Sequence, residues 1–152
     1  MTSLPAVKNY MSVDPEPQFL DTNVLIYAYD SSTGEVHHAA KELLKSLWSS
    51  RKGCLSIQVL QEFYVNITRK VPHPLDLEAA AQIVFDLSTW RVHEPQIEDV
   101  HAAIRIHRHH GISFWDAMIL QSAVRLGCDV IFSEDLNADQ EYEGVKVINP
   151  FS

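Results

Sequence analysis

The sequence predicts an α/β fold in which a central parallel sheet of about five strands lies between layers of helices. Short apolar runs bounded by turn residues alternate with longer segments in which apolar residues recur at helical spacing. The chain has 152 residues, of which 46% are hydrophobic and 21% are charged, and this composition is typical of one folded domain. No repeat or low-complexity tract interrupts the alternation.

The start of the chain has neither a helical nor a strand period, and Pro5 and Pro15 interrupt it. We expect a flexible leader over residues 1–16, with Met11 as a second candidate start, and one domain over residues 17–152. The leader lacks the features of a signal peptide, and every apolar run is shorter than the about 20 residues that a membrane-spanning helix needs. The expected location is the cytoplasm, without membrane association.

Five short runs bounded by turn or polar residues predict strands. They cover residues 17–21, 54–57, 91–95, 128–133 and 144–150. Six longer segments with apolar residues at helical spacing predict helices. They cover residues 22–30, 34–52, 58–70, 75–90, 97–110 and 114–127. Because helical segments separate most of these strands, the strands are expected to run parallel.

Turn and capping residues mark the ends of these elements. Thr22 can cap the first helix, and Gly53 is expected to end the second. Pro72 breaks the chain before the fourth helix. Gly111 is expected to end the fifth helix, and Ser113 to cap the sixth.

Four acidic residues occupy positions where a neutral or apolar residue is more usual. Asp21 and Asp135 follow predicted strands, Glu62 interrupts the apolar face of the third helix, and Asp116 lies in the first turn of the sixth. We expect these residues to be enclosed, and an enclosed carboxylate is unfavourable unless it is paired, hydrogen-bonded or bound to a metal ion. Asp21 and Asp135 lie at the carboxyl ends of strands, where α/β sheets bind ligands.

The sequence around these acids offers hydroxyl and amide side chains rather than lysine or arginine. The neighbouring polar residues are Thr22, Asn23, Ser113 and Ser133. Surroundings of this kind suit a hard cation, because Mg²⁺ takes a few carboxylates, several waters and phosphate oxygens as ligands. The pattern therefore predicts a metal site of the kind that nucleases use.

Each acid also has a purely structural interpretation. Asp21 could be a helix N-cap, and Asp116 could complement the helix dipole. Glu62 could face solvent, and Asp135 could stabilise a turn. We favour a shared site, because four independent structural explanations are needed to replace it.

The formal net charge of -8 argues against a broad basic surface for nucleic acid. Any RNA contact must then be local, either at an acidic pocket filled by cations or through a few basic groups and aromatic rings. The candidate basic groups are Arg51, Lys52, Arg69 and Lys70, although helix-end residues of this type commonly face solvent.

The remaining chemistry-bearing residues favour structural roles. Cys54 and Cys128 lie in apolar segments without the close spacing of a zinc or redox motif, so both are expected to be reduced core residues. Four histidines lie within residues 101–110, but no cysteine is near them, and a zinc site is not expected there. The three tryptophans are expected to pack rather than to stack on bases.

Four segments carry a more specific pattern: FLDTNVLIYAYD at 19–30, QEFYVNITRK at 61–70, ISFWDAMILQSA at 112–123, and IFSEDLN followed by GVKVINPF at 131–151. They resemble the PIN-domain family and, within it, the VapC-type toxin ribonucleases of VapBC toxin–antitoxin systems. The resemblance implies a PIN-like three-layer sandwich. It also implies that the family's four catalytic and metal-binding acids correspond to Asp21, Glu62, Asp116 and Asp135, with Thr22, Asn23 and Ser133 as supporting residues.

The activity implied by this resemblance is that of a metal-dependent endoribonuclease, which uses Mg²⁺ or Mn²⁺ and hydrolyses RNA phosphodiester bonds through a metal-activated water. The implied partners are an RNA substrate, a second copy of the chain in a homodimer, and a cognate antitoxin. The antitoxin would place a basic side chain in the acidic site, and its groove is expected near the helices at 34–52 and 57–70.

Other classes remain as alternatives. A receiver domain or a haloacid-dehalogenase-like phosphatase also places aspartates at strand ends. However, Asn23 stands where the phosphatase needs a second acid, and Ser133 and Glu134 stand where the receiver needs a lysine. A catalytically silent PIN-like domain that binds RNA or a protein is the other alternative. The sequence leaves open which RNA is cut, the metal and its number, and the antitoxin.

Overall fold

The computed structural model of the protein describes residues 16–152. Apart from Glu16, the predicted leader lies outside the described residues, and so does Met11. None of the helices in the described part of the chain has the length and apolar character needed to cross a membrane.

The described chain contains six strands and six α-helices, with one short 3₁₀ turn at Ser31–Thr33. The strands are β1 (Gln18–Leu20), β2 (Gly53–Ser56), β3 (Arg91–His93), β4 (Val130–Phe132), β5 (Glu141–Tyr142) and β6 (Val145–Ile148). The helices are α1 (Thr22–Tyr29), α2 (Glu35–Ser50), α3 (Ile57–Arg69), α4 (Leu77–Leu87), α5 (Ile97–His110) and α6 (Phe114–Arg125). All six predicted helices and all five predicted strands are present, with shifts of a few residues at their ends.

The strands form one sheet in the order β3-β2-β1-β4-β6-β5, in which every pair is parallel except β5 and β6. The predicted α/β fold with a central parallel sheet of about five strands flanked by helices is confirmed, and the sheet has one additional strand, β5, which is antiparallel to β6. β5 has only two residues, Glu141 and Tyr142, and it folds back on β6 through a turn at Gly144, which has a positive φ of 86°. A run this short has no detectable period in the sequence.

The register of the central strands brings two predicted site residues together. Leu20 on β1 pairs with Phe132 on β4, so the next residues, Asp21 and Ser133, are neighbours where the two strands end. The backbone N–H of Asp21 donates to the Phe132 carbonyl oxygen at 3.0 Å. We call this side, where the parallel strands end, the carboxyl edge of the sheet, and the opposite side the amino edge.

Helices flank the sheet in two groups. α1 packs against α2 and α3, and α3 packs against α4, whereas α5 and α6 pack against each other. α6 also contacts β2, β4 and β6. The strands at the centre of the sheet are almost entirely buried between these groups, and the core includes Phe19, Leu20, Leu55, Ile131 and Val147.

The end of α2 differs from the prediction. The helix stops at Ser50 because Arg51 takes a left-handed conformation with φ of 61°, whereas Gly53 is already the first residue of β2. Gly53 has a different role, since a Cβ atom at this position would lie 2.3 Å from Cζ3 of Trp90. The missing side chain allows the indole of Trp90 to lie directly on the β2 backbone. The predicted ends at Gly111 and Ser113 are correct.

The residues with expected structural roles mostly have them. Cys54 and Cys128 are free and buried, as predicted. His107 contacts the Ile112 carbonyl oxygen through Nδ1 at 2.6 Å, and His110 contacts Glu143 through Nε2 at 2.9 Å. Of the tryptophans, which were expected to pack rather than to stack on bases, Trp115 is 62% exposed in the first turn of α6 and Trp48 is partly exposed.

Candidate metal centre

Asp21 lies at the centre of the carboxyl edge, directly after β1, and only 3% of its surface is exposed. Of the two N-cap candidates for α1, Asp21 and Thr22, the cap is Asp21, and Thr22 is the first residue of the helix. The Oδ1 of Asp21 accepts from the backbone N–H of Thr22 at 2.7 Å, and its Oδ2 accepts from the Ser133 hydroxyl at 2.7 Å. Neutral donors therefore hold both oxygens in place.

These donors do not compensate for burial of the Asp21 charge. Loss of solvent raises the pKa of Asp21 to about 7, although the hydrogen bonds from Ser133 and Thr22 act in the opposite direction. The nearby carboxylates of Asp116 and Asp135 raise the pKa further. Without a cation, Asp21 is therefore an unfavourable anion at neutral pH.

Glu62 reaches the same region from the second turn of α3. Its Oε1 accepts from the Thr22 hydroxyl at 2.6 Å, and its Oε2 accepts from Gln58 Nε2 at 2.9 Å. Thr22 thus connects Glu62 to the helix that Asp21 caps. Gln58 also donates to the backbone carbonyl of Trp115 at 3.1 Å, which connects α3 to the residue before Asp116.

Asp116 is half-buried in the first turn of α6, where its backbone N–H donates to the Ser113 hydroxyl at 3.0 Å. Burial raises the pKa of Asp116, and the charges of Asp135 and Glu62 raise it further against the hydrogen bond with Ser113. Asp116 therefore lies within electrostatic range of each of the other three predicted acids. We call Asp21, Glu62, Asp116 and Asp135 the acidic cluster.

Asp135 differs from the expectation of an enclosed carboxylate, because it is exposed. The Ser133 hydroxyl accepts from the backbone N–H groups of Asp135 and Leu136, at 3.2 and 3.3 Å. This turn points Leu136 into the core and leaves Asp135 on the solvent side of the site. Ser133, which is fully buried, therefore shapes the loop that carries one acid and donates to another.

Asn23 lies beside the cluster with an unused donor. Its Oδ1 accepts from the backbone N–H of Glu134 at 3.2 Å. Its Nδ2 is buried and has no hydrogen-bond partner among residues 16–152. A buried amide donor without a partner is unfavourable, so this group is a candidate to donate to a ligand.

Sequence reasoning did not identify two residues that lie beside the cluster, Gln58 and Tyr27. Gln58 bridges Glu62 and Trp115, and the hydroxyl of Tyr27 donates to Glu134 at 2.7 Å. The contacts of Gln58 with Trp115 and of Tyr27 with Glu134 join residues 57 and 107 positions apart in the chain, so no local pattern could have revealed them.

The acidic cluster has the oxygen donors that a hard divalent cation requires. Within residues 16–152, no lysine or arginine forms an ion pair with any acid of the cluster. No three His, Cys, Asp or Glu side chains in this part of the chain are arranged to enclose a metal ion. The residues therefore fit an ion that takes one or two carboxylates directly and completes its shell with water, which is the preference of Mg²⁺ and also suits Mn²⁺.

The fold and the site define a class of protein: an α/β domain with acidic residues grouped at the carboxyl edge of a mainly parallel sheet. Within residues 16–152, no lysine or arginine forms an ion pair with these acids. The sequence model of the PIN domain matches residues 19–141. The chain belongs to the PIN-domain family. The resemblance to the PIN-domain family that the sequence motifs indicated is therefore confirmed.

Solved structures share this fold at low sequence identity. A toxin–antitoxin complex from Klebsiella pneumoniae has a TM-score of 0.65 and 18% identity, covering 88% of this chain and 97% of the other. VapC20 of Mycobacterium tuberculosis, a toxin that cleaves the sarcin–ricin loop, has a TM-score of 0.60 and 20% identity, covering 78% and 89%. DNA-bound VapBC from Salmonella typhimurium has a TM-score of 0.62 and 19% identity, covering 87% and 96%. A comparison with curated protein sequences finds no match.

Proposed function

We propose that this protein is a metal-dependent endoribonuclease, and that it is the toxin of a type II toxin–antitoxin pair. The observation that carries the proposal is the acidic cluster itself. Asp21 is buried, lies close to other carboxylates and has a raised pKa. No lysine or arginine in residues 16–152 is paired with it, so a bound cation would stabilise its charge. The structural similarity to toxins of the VapBC type supports the toxin role.

Asp21 and Asp116 are the residues that we assign to direct binding of Mg²⁺ or Mn²⁺, with Asp135 on the solvent side. When bound, the cation would polarise a phosphodiester and lower the pKa of a water molecule. Ser133 and the Thr22 amide fix the orientation of the Asp21 carboxylate, which limits the rearrangement needed to bind the ion.

Glu62 is assigned to orient the attacking water. The Thr22 hydroxyl and Gln58 each hold one of its carboxylate oxygens, and each oxygen keeps a lone pair that can accept from water. The carboxylate can therefore receive a proton as the water attacks phosphorus. Asn23 Nδ2 is assigned to donate to a phosphate oxygen of the RNA, which would give this buried group a partner.

The proposed protein partners are a second copy of the chain and an antitoxin. α2 and α3 each pack on α1. An apolar cleft of about 370 Å³ between α3 and α4 includes Ile57, Leu60, Tyr64 and Val65. Such a cleft is suited to an apolar face of an antitoxin helix, followed by a basic segment that reaches the acidic cluster.

Self-association is tested by sedimentation equilibrium of the purified chain over a wide concentration range. The expected result is the mass of two chains, because large apolar side chains such as Leu77, Phe85 and Ile97 are more than half exposed in one copy. The mass of one chain at every concentration would contradict the homodimer.

The proposed activity is tested by incubating purified protein with a panel of structured RNAs in the presence of Mg²⁺, Mn²⁺ or EDTA. We expect cleavage with either metal and none with EDTA. Asp116→Asn should lower the cleavage rate by on the order of a hundredfold or more, because it removes a negative charge from the site while the backbone bond to Ser113 remains.

Asp129→Asn is the matched control, because Asp129 is an exposed aspartate just before β4, at the amino edge of the sheet. It should cleave like the wild type. Equal cleavage by Asp116→Asn would indicate a contaminating nuclease and overturn the site assignment. Saturable RNA binding without any cleavage would favour the catalytically silent alternative.

A further inference from the structure

A second cleft, of about 740 Å³, lies at the amino edge of the sheet, away from the acidic cluster. Its walls include Gly53 and Arg91, which are the first residues of β2 and β3. The end of α2 contributes Trp48 and Arg51, and Trp90 precedes β3. The cleft volume lies within the range of about 300–1,000 Å³ that is typical of small-molecule sites.

Two indole rings form a fixed aromatic wall in this cleft. Trp90 lies on the backbone of Gly53, where no Cβ atom could be accommodated. Trp48 contacts Trp90 edge to face, with ring centroids 5.4 Å apart and an interplanar angle of 77°. Trp48 is nevertheless 39% exposed, so part of its ring is available to a ligand.

The cleft is basic in a chain whose formal net charge is -8. Arg51 and Arg91 are both exposed, and no carboxylate from residues 16–152 lines the cleft. Neither arginine forms an ion pair in the same part of the chain. Arg51 has a left-handed backbone conformation, which is unfavourable for a residue other than glycine. It is the C-cap of α2, so the end of this helix fixes its position.

We propose that this cleft binds a nucleoside phosphate, either as a free nucleotide or as one unit of a single-stranded RNA. The base stacks on the exposed part of Trp48, and the phosphate lies between Arg51 and Arg91. Guanidinium groups bind phosphate oxygens through paired hydrogen bonds, and indoles stack on bases of any sequence. An acidic peptide would use the two arginines but not the aromatic wall, which makes a nucleotide the better match.

The position of the cleft determines what it does for a longer RNA. β2 runs from the cleft to the carboxyl edge, and its four residues span about 13 Å at roughly 3.3 Å per residue. An RNA strand that reaches both places must therefore continue beyond the acidic cluster to the opposite edge of the sheet. The cleft contributes to the affinity for RNA and takes no part in the chemical step, so the proposal is independent of nuclease activity.

The test is equilibrium binding by fluorescence anisotropy in EDTA, which excludes metal-dependent cleavage. The probe is a fluorescein-labelled oligoadenylate of about ten nucleotides. The competitors are unlabelled oligoadenylate, AMP and an oligoglutamate peptide. Arg91→Gln, Arg51→Asn and Trp48→Leu should each weaken binding of the oligoadenylate by about tenfold. The two arginine variants should also lower the slope of log Kd against log salt by about one, whereas Trp48→Leu should not.

Arg108→Gln is the control, because Arg108 is an exposed arginine on α5 outside the cleft. It should bind the oligoadenylate with the affinity of the wild type. Circular dichroism verifies that each variant is folded, and Arg91→Gln removes only an exposed side chain. Competition by AMP would identify a free nucleotide as a sufficient ligand, and binding of the oligoadenylate without competition by AMP would identify the RNA strand.

Two results would overturn the proposal. One is oligoadenylate binding that is unchanged in all three cleft variants. The other is displacement by oligoglutamate as effective as displacement by unlabelled oligoadenylate, together with no effect of Trp48→Leu. EDTA removes the divalent cations that cleavage at the acidic cluster would need. Failure of the proposed nuclease activity would therefore leave these binding results unaffected.

Discussion

Asp21→Asn is expected to lower the rate of metal-dependent cleavage strongly and, at the same time, to stabilise the metal-free protein above neutral pH. The loss of cleavage should be on the order of a thousandfold, comparable with the removal of other electrostatic groups in active sites. The gain in stability follows from the burial that raises the pKa of Asp21 to about 7. If Asp21 had only a structural role, Asp21→Asn would be less stable than the wild type.

The sign of the pH dependence follows from proton binding. The pKa of Asp21 is raised from 3.8 to about 7 in the folded protein, so the native state binds more protons than the unfolded state between these values. Stability therefore falls as pH rises through this window. Above pH 7 the charged carboxylate costs the native state about 4 kcal/mol, from about 1.4 kcal/mol per pKa unit.

The cost of about 4 kcal/mol already includes the hydrogen bonds that Ser133 and Thr22 donate to the charged carboxylate, because both contribute to the pKa of Asp21. Asparagine has no charge to bury, so we expect Asp21→Asn to be more stable than the wild type above pH 8 by up to about 4 kcal/mol. This gain should disappear below about pH 4, where the wild-type carboxyl is protonated in both states.

Urea unfolding in EDTA at several pH values measures this difference, and the same series with Mg²⁺ provides the control. Mg²⁺ should stabilise the wild type, because it binds only the folded state, and should have little effect on Asp21→Asn. A variant that is less stable than the wild type at pH 8 would show that Asp21 serves as a helix cap and not as a strained ligand. Equal stabilisation of both proteins by Mg²⁺ would place the ion elsewhere.

The positions of Asp21 and Asp116 could be predicted because each depends on a local signal. Asp21 follows a strand directly, and Ser113 caps the helix in whose first turn Asp116 lies. Parallel strands then bring their ends to one edge whatever the details of packing. The helix periods were equally informative, since all six helices bury an apolar face that recurs in the sequence.

The features that the sequence did not predict depend on individual hydrogen bonds, which a periodic pattern does not reveal. β5 pairs with β6 across a short turn, and Asp135 is exposed because the Ser133 hydroxyl holds the turn that follows it. These contacts are local, but runs this short show no period in the sequence. Gln58, by contrast, donates to the carbonyl of Trp115 on another helix, and composition and periodicity carry no information about a pair so far apart in the chain.

Asp99 illustrates the same limit outside the cluster, since the sequence presents it only as an acid in the first turn of a helix. Its side chain is fully buried. It accepts from Gln121 Nε2 at 2.9 Å and from the Gln96 backbone N–H at 2.8 Å. His93 and Arg125 lie at 3.3 and 3.6 Å, and His93 is hydrogen-bonded in turn to the Ser122 hydroxyl. This network joins β3, α5 and α6.

Asp99→Ala is therefore expected to be among the most destabilising single changes in the chain. It leaves the donors of Gln121 and Gln96 without their acceptor, and an unsatisfied buried donor costs about 1–3 kcal/mol. Domains of ordinary stability have only about 5–15 kcal/mol in total, so a large fraction would be lost. Glu98→Ala, which removes an exposed acid from the same helical turn, should cost less than about 1 kcal/mol.

The pH dependence of stability shows whether the charge of Asp99 or only its packing stabilises the fold. Burial alone would raise the pKa of Asp99, but hydrogen bonds from Gln121 and Gln96, with His93 and Arg125 nearby, outweigh it and hold the pKa below its usual value of 3.8. The stabilisation is therefore complete above pH 3.8 and is lost as pH falls through the lower folded value. Urea unfolding midpoints of wild type, Asp99→Ala and Asp99→Asn between pH 3 and pH 7 measure this effect.

If the charge of Asp99 matters, the difference between wild type and Asp99→Asn should shrink towards the acid end of this range, while Asp99→Ala stays destabilised by its missing hydrogen bonds. Equal destabilisation by both variants at every pH would mean that shape and hydrogen-bonding geometry at residue 99 matter and its charge does not. Because Asp99 is not part of the acidic cluster, folded Asp99→Asn should retain metal-dependent cleavage. Loss of cleavage without loss of stability would instead show that this network is coupled to the acidic cluster at the carboxyl edge of the sheet.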